Sequence, residues 1–304
     1  MKIVTLTLCA AFDIHADSNN IIPYRENIAR ITDYSAGGKG VNISRALHRA
    51  GVENIAIAVI GEENGESFIK KLENENICLR TVQIPGRIRE NITIHTEDGK
   101  ETRISFTGDK VPNDLLQRLS EITDKICDND TVLTFCGRLP EGVSVEDAKA
   151  YIGKLQEKGV RVVIDSKSFS LSDITELRPF LIKPNEEEIA EYAGRDISDF
   201  DSAANIAREL NERGIENVMI SLGDRGALLC TEGVLYFARA PKIKAISTIG
   251  AGDSSIAGFL YAASEGKPAE DCLKFAVAFG SAACLTAGTN PPTLEDINRL
   301  LKMI

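Results

Sequence analysis

The chain has 304 residues, 43% of them apolar and 26% charged, which allows one large α/β core or two smaller ones. Its 35 basic against 45 acidic residues leave a formal charge of −10, which excludes the basic face of a nucleic-acid binder, and no apolar run approaches the roughly 20 residues of a membrane span. Trp is absent, so Trp stacking is excluded, and seven scattered cysteines without C-x-x-C spacing read as reduced core thiols rather than a disulfide framework or zinc knuckle.

The opening residues read as a strand over 2–8. They lack the basic region, long apolar core and cleavage site of a signal peptide, so a cytoplasmic protein is expected. Residues 11–34 read as extended and irregular. Ala36-Gly37-Gly38-Lys39-Gly40-Val41-Asn42 then precedes a helical run (Ile43, Ala46, Leu47, Ala50) with Gly51 at its C-terminal cap. The apolar strand 55–60 suits a parallel sheet covered on both faces. Residues 91–97 and 100–106 spell a hairpin around a two-residue Asp98-Gly99 turn, with Ile92, Ile94, Ile104 and Phe106 on a face that needs cover. This is either a plain surface hairpin or a lid.

Helical spacing returns at Leu115, Leu119, Ile122 and Ile126, and again at Val145, Ala148, Ile152 and Leu155 before Gly159. Strands are expected over 131–135, 160–164 and 218–222, and a β-like segment over 243–248. The three histidines (His15, His48, His95) lie far apart and read as surface or hairpin residues. The alternation gives an open, doubly wound α/β fold with a mostly parallel sheet, helices on both faces and a small inserted β layer, binding ligands beyond the carboxyl ends of its strands.

Four segments carry chemistry. Gly250-Ala251-Gly252-Asp253 opens a helix (Ile256, Phe259, Leu260, Ala263), where backbone N–H groups make an anion site. It is neither a dinucleotide fingerprint nor a P-loop. Asp253 has the wrong charge to hold phosphate and the right chemistry to take a proton; alone, it reads as a first-turn carboxylate favoured by the helix dipole. Gly37-Gly38-Lys39-Gly40 lets backbone and ammonium approach a polyhydroxyl or phosphorylated ligand. Lys183-Pro184-Asn185-Glu186-Glu187-Glu188 sets Asn185 and Glu188 three apart, either as helix-start charges or facing hydrated Mg²⁺. Ser221-Leu222-Gly223-Asp224-Arg225-Gly226 follows a strand, either as an ordinary turn or as a phosphate cradle.

Taken in order, these motifs resemble the PfkB-type (ribokinase-like) carbohydrate kinases over essentially the whole chain. Within them the chain is similar to the 1-phosphofructokinase and tagatose-6-phosphate kinase branch, through Thr5 to Leu8 with Phe12-Asp13, Gly86 to Arg89 with Asn91, Gly137 with Leu139-Pro140, and Ser247 to Ser254. The resemblance implies one kinase domain over 1–304 with a β lid formed by about 11–35 and 88–107. It implies transfer of the γ-phosphoryl of ATP, with Mg²⁺, to a sugar-phosphate hydroxyl, fructose 1-phosphate first. Asp253 is then the base, expected to stay ionised at its helix terminus, beside an anion hole of Gly250, Ala251 and Gly252. Asp13, Gly38, Lys39 and Asn42 would hold sugar hydroxyls, and Arg89 the acceptor phosphate. Lys183, Asn185, Ser221, Gly223 and Gly226 would meet ATP, with Asn185 and Glu188 near Mg²⁺. A homodimer through the lid is implied, with neither nucleic acid nor membrane as partner.

The chain departs from the branch beside the sugar pocket. Cys9-Ala10 stands for Asn-Pro, and Cys136-Gly137-Arg138 for Ser-Gly-Ser. Arg138 either adds a bidentate phosphate clamp or fills the pocket and changes the acceptor. Tagatose 6-phosphate, fructose 6-phosphate and unphosphorylated sugars or nucleosides are the other acceptors. A non-catalytic sugar- or nucleotide-binding protein is the reading from another class, and it has no use for a base at Asp253.

Overall fold

The apolar run that opens the chain forms β1 (Lys2–Thr7), with five of its six residues buried. A computed structural model describes residues 1–194 and 199–304. After β1 come β2 (Ala11–Ser18), β3 (Arg30–Gly37), α1 (Lys39–Arg49), β4 (Ile55–Gly61), α2 (Gly65–Asn74) and β5 (Leu79–Ile84). The middle holds β6 (Arg89–Thr96), β7 (Glu101–Ser105), α3 (Leu115–Ile126), β8 (Thr131–Cys136), α4 (Val145–Glu157), β9 (Arg161–Asp165), α5 (Leu171–Leu177) and β10 (Leu181–Ile182). The last third holds α6 (Glu186–Ala193), α7 (Phe200–Glu212), β11 (Asn217–Ser221), β12 (Ala227–Thr231), β13 (Val234–Ala238), α8 (Ala251–Ser264), α9 (Ala269–Ala283) and α10 (Leu294–Leu301).

Nine strands form one sheet in the order β13-β12-β11-β10-β9-β8-β1-β4-β5. It is parallel from β5 to β11, and β12 and β13 are antiparallel. One face packs on α1, α8, α9 and α10 through Ile43, Leu47, Ile256, Leu260, Phe279 and Ile297; the other buries Leu119, Phe135, Ile152 and Leu210. Gly51, with φ +84, ends the first helix as the spacing requires.

The region read as irregular is regular. β2 and β3 join β6 and β7 in a separate four-stranded sheet, order β3-β2-β6-β7, with β2 and β6 parallel. The turn in its hairpin has three residues rather than two. The Thr96 carbonyl accepts from the Gly99 N–H at 2.9 Å, the Thr96 N–H donates to the Lys100 carbonyl, and Gly99 takes φ +78 as a bulge glycine. The apolar side of this sheet turns outward, leaving Ile31 63%, Ile104 46% and Phe106 49% exposed. Its polar side (Asp13, His15, Asn91, Thr93) is the buried one.

The segment 243–248 is no strand. Ile246 is 66% exposed, and the N–H groups of Ile246 and Ser247 both donate to the Cys284 carbonyl just past α9. A chain bonded to a helix end has no neighbouring strand to complete a ladder.

Candidate active site

The strand order reverses at β1: the chain proceeds to β4 and β5 on one side and to β8 and beyond on the other. Such a switch point opens a crevice beyond the carboxyl ends of the strands. Here it is a cleft of about 520 Å³, roofed by the polar side of the small sheet. Of the residues singled out from sequence, it is lined by Asp13, Gly38, Lys39, Asn42, Arg89, Arg138, Lys183, Asn185, Glu188, Gly250, Gly252 and Asp253. Its charged lining comprises five cations (Lys39, Arg89, Arg103, Arg138, Lys183) against four carboxylates (Asp13, Asp165, Glu188, Asp253), a positive balance on an acidic protein. Such a pocket attracts an anionic ligand.

Of the helices that start at the cleft, two begin at a glycine without a side-chain cap. They are α1 after Gly38 (φ +114) and α8 after Gly250 (φ +76). By contrast, α4, α5, α6, α7 and α10 are capped by Ser144, Ser170, Asn185, Asp199 and Thr293. In α1 the Thr7 hydroxyl takes the Val41 N–H at 2.9 Å; first-turn N–H groups without such a partner remain for an anion. The Ala251 N–H makes a long contact of 3.3 Å to the Thr248 carbonyl. The Lys183 ammonium lies against Gly252, where a Cβ would be 3.0 Å from Nζ.

Asp253 is 7% exposed, and its Oδ2 accepts from Asn42 Nδ2 at 2.9 Å. Burial raises its pKa to about 6, opposed by Lys39, the Asn42 hydrogen bond and Lys183, and assisted by Asp165. At this pKa the carboxyl is still mostly ionised at about pH 7, and desolvation brings it near the working pH of a general base. Lys39 binds Asp165 Oδ2 at 2.7 Å. Burial works against the charge of Lys39, but Asp165 and Asp253 outweigh it and hold the ammonium protonated. Asp165, also buried, stays below its ordinary value because Lys183 and Lys39 overcome its desolvation.

Across the cleft, Asp13 Oδ1 accepts from Asn91 Nδ2 at 2.8 Å, and Oδ2 lies 3.5 Å from the Thr289 hydroxyl. A Cβ at Gly37 would sit 2.2 Å from Asp13 Oδ2, so the glycine admits this carboxylate. Arg89 donates to Asn91 Oδ1 and to the Phe106 carbonyl, while its Nε is buried without a partner. Asn42 Oδ1 is likewise buried and unpartnered. Two orphaned polar atoms in one cleft mark places for a ligand. Burial lowers the pKa of Arg89, with Arg138 and Arg103 adding like-charge repulsion against the relief from Cys9 and Asp13.

Arg138 is exposed at the loop after β8 and, with Cys9 and Arg89, also lines a second cavity of about 220 Å³ whose walls mix apolar and charged side chains. Cys9 Sγ donates to the Arg138 carbonyl at 3.4 Å, and burial raises its pKa. Cys136 lines the cleft but is 4% exposed, and burial drives its thiol far up, so it serves as a neutral wall. Ala10 is buried and lines the second cavity.

On the opposite side, Asn185 and Glu188 form a reciprocal capping box at the start of α6. Asn185 Oδ1 accepts from the Glu188 N–H at 2.8 Å, and Glu188 Oε2 from the Asn185 N–H at 3.0 Å. Glu188 Oε1 also meets Lys167 at 3.4 Å. Ser221 bridges to Asn185 and bonds the Pro184 carbonyl. Gly223 and Gly226 lie beyond, at either end of the turn joining β11 to β12 and outside the cleft lining. Gly226 has a packing reason of its own: a Cβ there would lie 2.0 Å from the Ala238 carbonyl oxygen.

Sequence reasoning missed Asp165, Asn91, Arg103 and Thr289 as cleft residues. Asp165 carried a signal, an acid just past the apolar strand 160–164; the others depend on how the small sheet folds over. His15, read as a surface or hairpin residue, is 4% exposed and stacked on His95, with Nδ1 and Nε2 3.2 Å apart.

The cleft thus gathers a buried carboxylate of raised pKa, two glycine-led helix N-termini, two lysines and three arginines. Over residues 2–296 the sequence matches the pfkB family of carbohydrate kinases. It is 30% identical over 307 residues to a 1-phosphofructokinase of Haemophilus influenzae, covering all of this chain and 97% of that one. It is also 30% identical over 303 residues to ATP-dependent 6-phosphofructokinase isozyme 2 of Escherichia coli, covering 99% and 97%. A crystal structure of phosphofructokinase-2 from Escherichia coli in complex with substrates and products superposes with a TM-score of 0.95 at 30% identity over 99% of both chains. The chain belongs to the PfkB family and is an ATP-dependent carbohydrate kinase.

Proposed function

We propose that this kinase phosphorylates a sugar phosphate, fructose 1-phosphate first, to give fructose 1,6-bisphosphate. The observation that carries this reading is a chain of contacts along the cleft, from Arg89 through Asn91 and Asp13 to Thr289, which abuts the Gly250 turn before Asp253, with Arg138 in the same lining. The arginines bind the phosphate already on the acceptor, in the bidentate manner guanidinium allows. Asp13 and Asn91 orient sugar hydroxyls. Asp253 takes the proton of the attacking hydroxyl as its oxygen bonds to the γ-phosphorus. The bond from that phosphorus to the β–γ bridging oxygen breaks and ADP leaves. Gly250, Ala251 and Gly252, with Lys183 and Lys39, stabilise the charge of the transferring group.

Magnesium enters with ATP as part of the substrate. Asp165, Asn185 and Glu188 offer the hard oxygen donors it prefers, and the capping box fits contacts made through its waters. Ser221 and Gly223 meet nucleotide phosphates in this reading, while Gly226 shapes their turn.

The outward apolar face of the small sheet supports a homodimer, with the sheet acting as both lid and interface. Ile31, Ile104 and Phe106 are exposed there, and Ile28, 84% exposed, precedes β3. A cytoplasmic location fits seven unpaired cysteines, and no described helix is long and apolar enough to cross a membrane.

A second acceptor, fructose 6-phosphate, is favoured by the equal identity to the Escherichia coli isozyme. The test is kcat/KM at saturating MgATP for fructose 1-phosphate, fructose 6-phosphate, tagatose 6-phosphate and fructose. The proposal expects fructose 1-phosphate to lead by at least about tenfold, a discrimination of about 1.4 kcal/mol. Preference for unphosphorylated fructose would remove the role given to the arginines.

A further inference from the structure

Arg45 is the only buried arginine among the described residues, 4% exposed in the middle of α1. It does not itself line the cleft. Its Nε and Nη2 bind both carboxylate oxygens of Glu75, just past the end of α2, at 2.6 and 2.9 Å. Its remaining nitrogen, Nη1, donates to the Thr289 carbonyl at 3.3 Å. A guanidinium taken out of water costs stability unless its hydrogen bonds are met, and a hydrophobic residue often serves packing better. Position 45 therefore calls for an explanation beyond packing.

The loop between α9 and α10 provides it. Thr289 lines the cleft, with its hydroxyl 3.5 Å from Asp13 Oδ2. Its Cα and Cγ2 would lie 3.7 Å from a Cβ at Gly250, so it abuts the first turn of α8. The preceding Gly288 presses on the ring of His15 in β2, where a Cβ would come within 2.4 Å of Nε2. One loop residue thus meets both the sugar-side carboxylate and the anion-hole turn. Its carbonyl is held by the same helix whose Asn42, three residues before Arg45, holds the base.

We propose that Arg45 is a positioning residue for the acceptor: braced by Glu75, it fixes the Thr289 carbonyl, so that the Thr289 hydroxyl sets Asp13 against the sugar. This role rests on the kinase reading. It acts at the acceptor end, so its loss falls on acceptor binding and leaves MgATP binding alone.

The experiment compares Arg45→Lys, Arg45→Met, Thr289→Val and the double variant Arg45→Met/Thr289→Val, using whichever acceptor the unmodified enzyme turns over best. Arg45→Lys keeps the charge but cannot bridge Glu75 and Thr289 together, and it stands in if the Met variant does not fold. Expected are a rise in acceptor KM of about threefold or more for Lys and about tenfold for Met, with KM for MgATP within twofold. The double variant should be no worse than the poorer single, because both changes break one chain of contacts. A folded Arg45→Lys enzyme with an unchanged acceptor KM would overturn the proposal. So would parallel losses in both KM values and kcat, or additive effects in the double variant. Absence of turnover by the unmodified enzyme with every acceptor would instead bring down the kinase reading, and this role with it.

Discussion

Asn42 and Asp253 lie 211 positions apart in the chain and meet at 2.9 Å, the amide of α1 donating to the carboxylate of α8. The contact joins the early glycine-lysine motif to the late glycine-aspartate motif and fixes which carboxylate oxygen is free to take a proton. Asn42→Ala should leave Asp253 buried without its donor, raise its pKa further, and lower kcat by about tenfold or more at pH 7. Steady-state kinetics at constant folded fraction check this; an unchanged kcat would mean that the pairing does not orient the base.

The pH dependence follows from Asp253. A base with pKa about 6 is ionised above that value, so activity should fall as pH drops through about 6 and level off above 7. Substituting Lys39 by Met removes the cation that opposes the desolvation of Asp253 and should move this acid limb to higher pH. A kcat/KM profile against pH for both enzymes reads the shift. A limb that stays in place would show that Lys39 does not tune the base.

The same carboxylate destabilises the fold when charged. Its folded pKa of about 6 exceeds the unsubstituted value of 3.8, so the native state binds the proton more tightly than the unfolded chain. The resulting stability is fully present below about pH 4 and lost as pH rises through 6, a difference of up to about 3 kcal/mol. Asp253→Asn, which keeps an acceptor for Asn42, should therefore melt higher than the unmodified protein at pH 8, with the gap closing toward pH 4. Scanning calorimetry at both pH values tests the sign.

Arg138→Ser restores the side chain usual in the resembled branch and removes one guanidinium from the cleft lining. Loss of a charge-assisted hydrogen bond of about 1.5–3 kcal/mol should raise the sugar-phosphate KM by about 10- to 100-fold and leave MgATP alone. A KM that falls instead would mean that Arg138 obstructs the pocket.

Ile31→Glu with Ile104→Glu places two charges on the exposed side of the small sheet. If that face is the dimer interface, sedimentation velocity should give half the mass of the unmodified protein. An unchanged mass would move the interface elsewhere.

Much of this was legible in the sequence because it is local. Glycine just before a periodic apolar run marks a helix N-terminus, and Gly38 and Gly250 both obey it. The parallel core was readable in β4, whose continuous apolar run leaves no polar side. What depends on long-range pairing was not. β2 and β3 looked irregular because their buried residues include Asp13, His15 and Ser35, polar groups that face a cleft instead of an apolar core. The 243–248 segment has the composition of a strand but borrows its hydrogen bonds from a helix end. Asp165 ends an ordinary strand, and only the fold brings Lys39 to it, from 126 positions away.

The most direct test of the account is acceptor-dependent ADP release from MgATP at pH 7.5 by the unmodified enzyme and by Asp253→Asn. The expected result is stoichiometric ADP and fructose 1,6-bisphosphate on adding fructose 1-phosphate, slowed by about 10²–10⁴-fold in the variant, with acceptor KM little changed. Turnover in Asp253→Asn at the unmodified rate would contradict the assignment of the base.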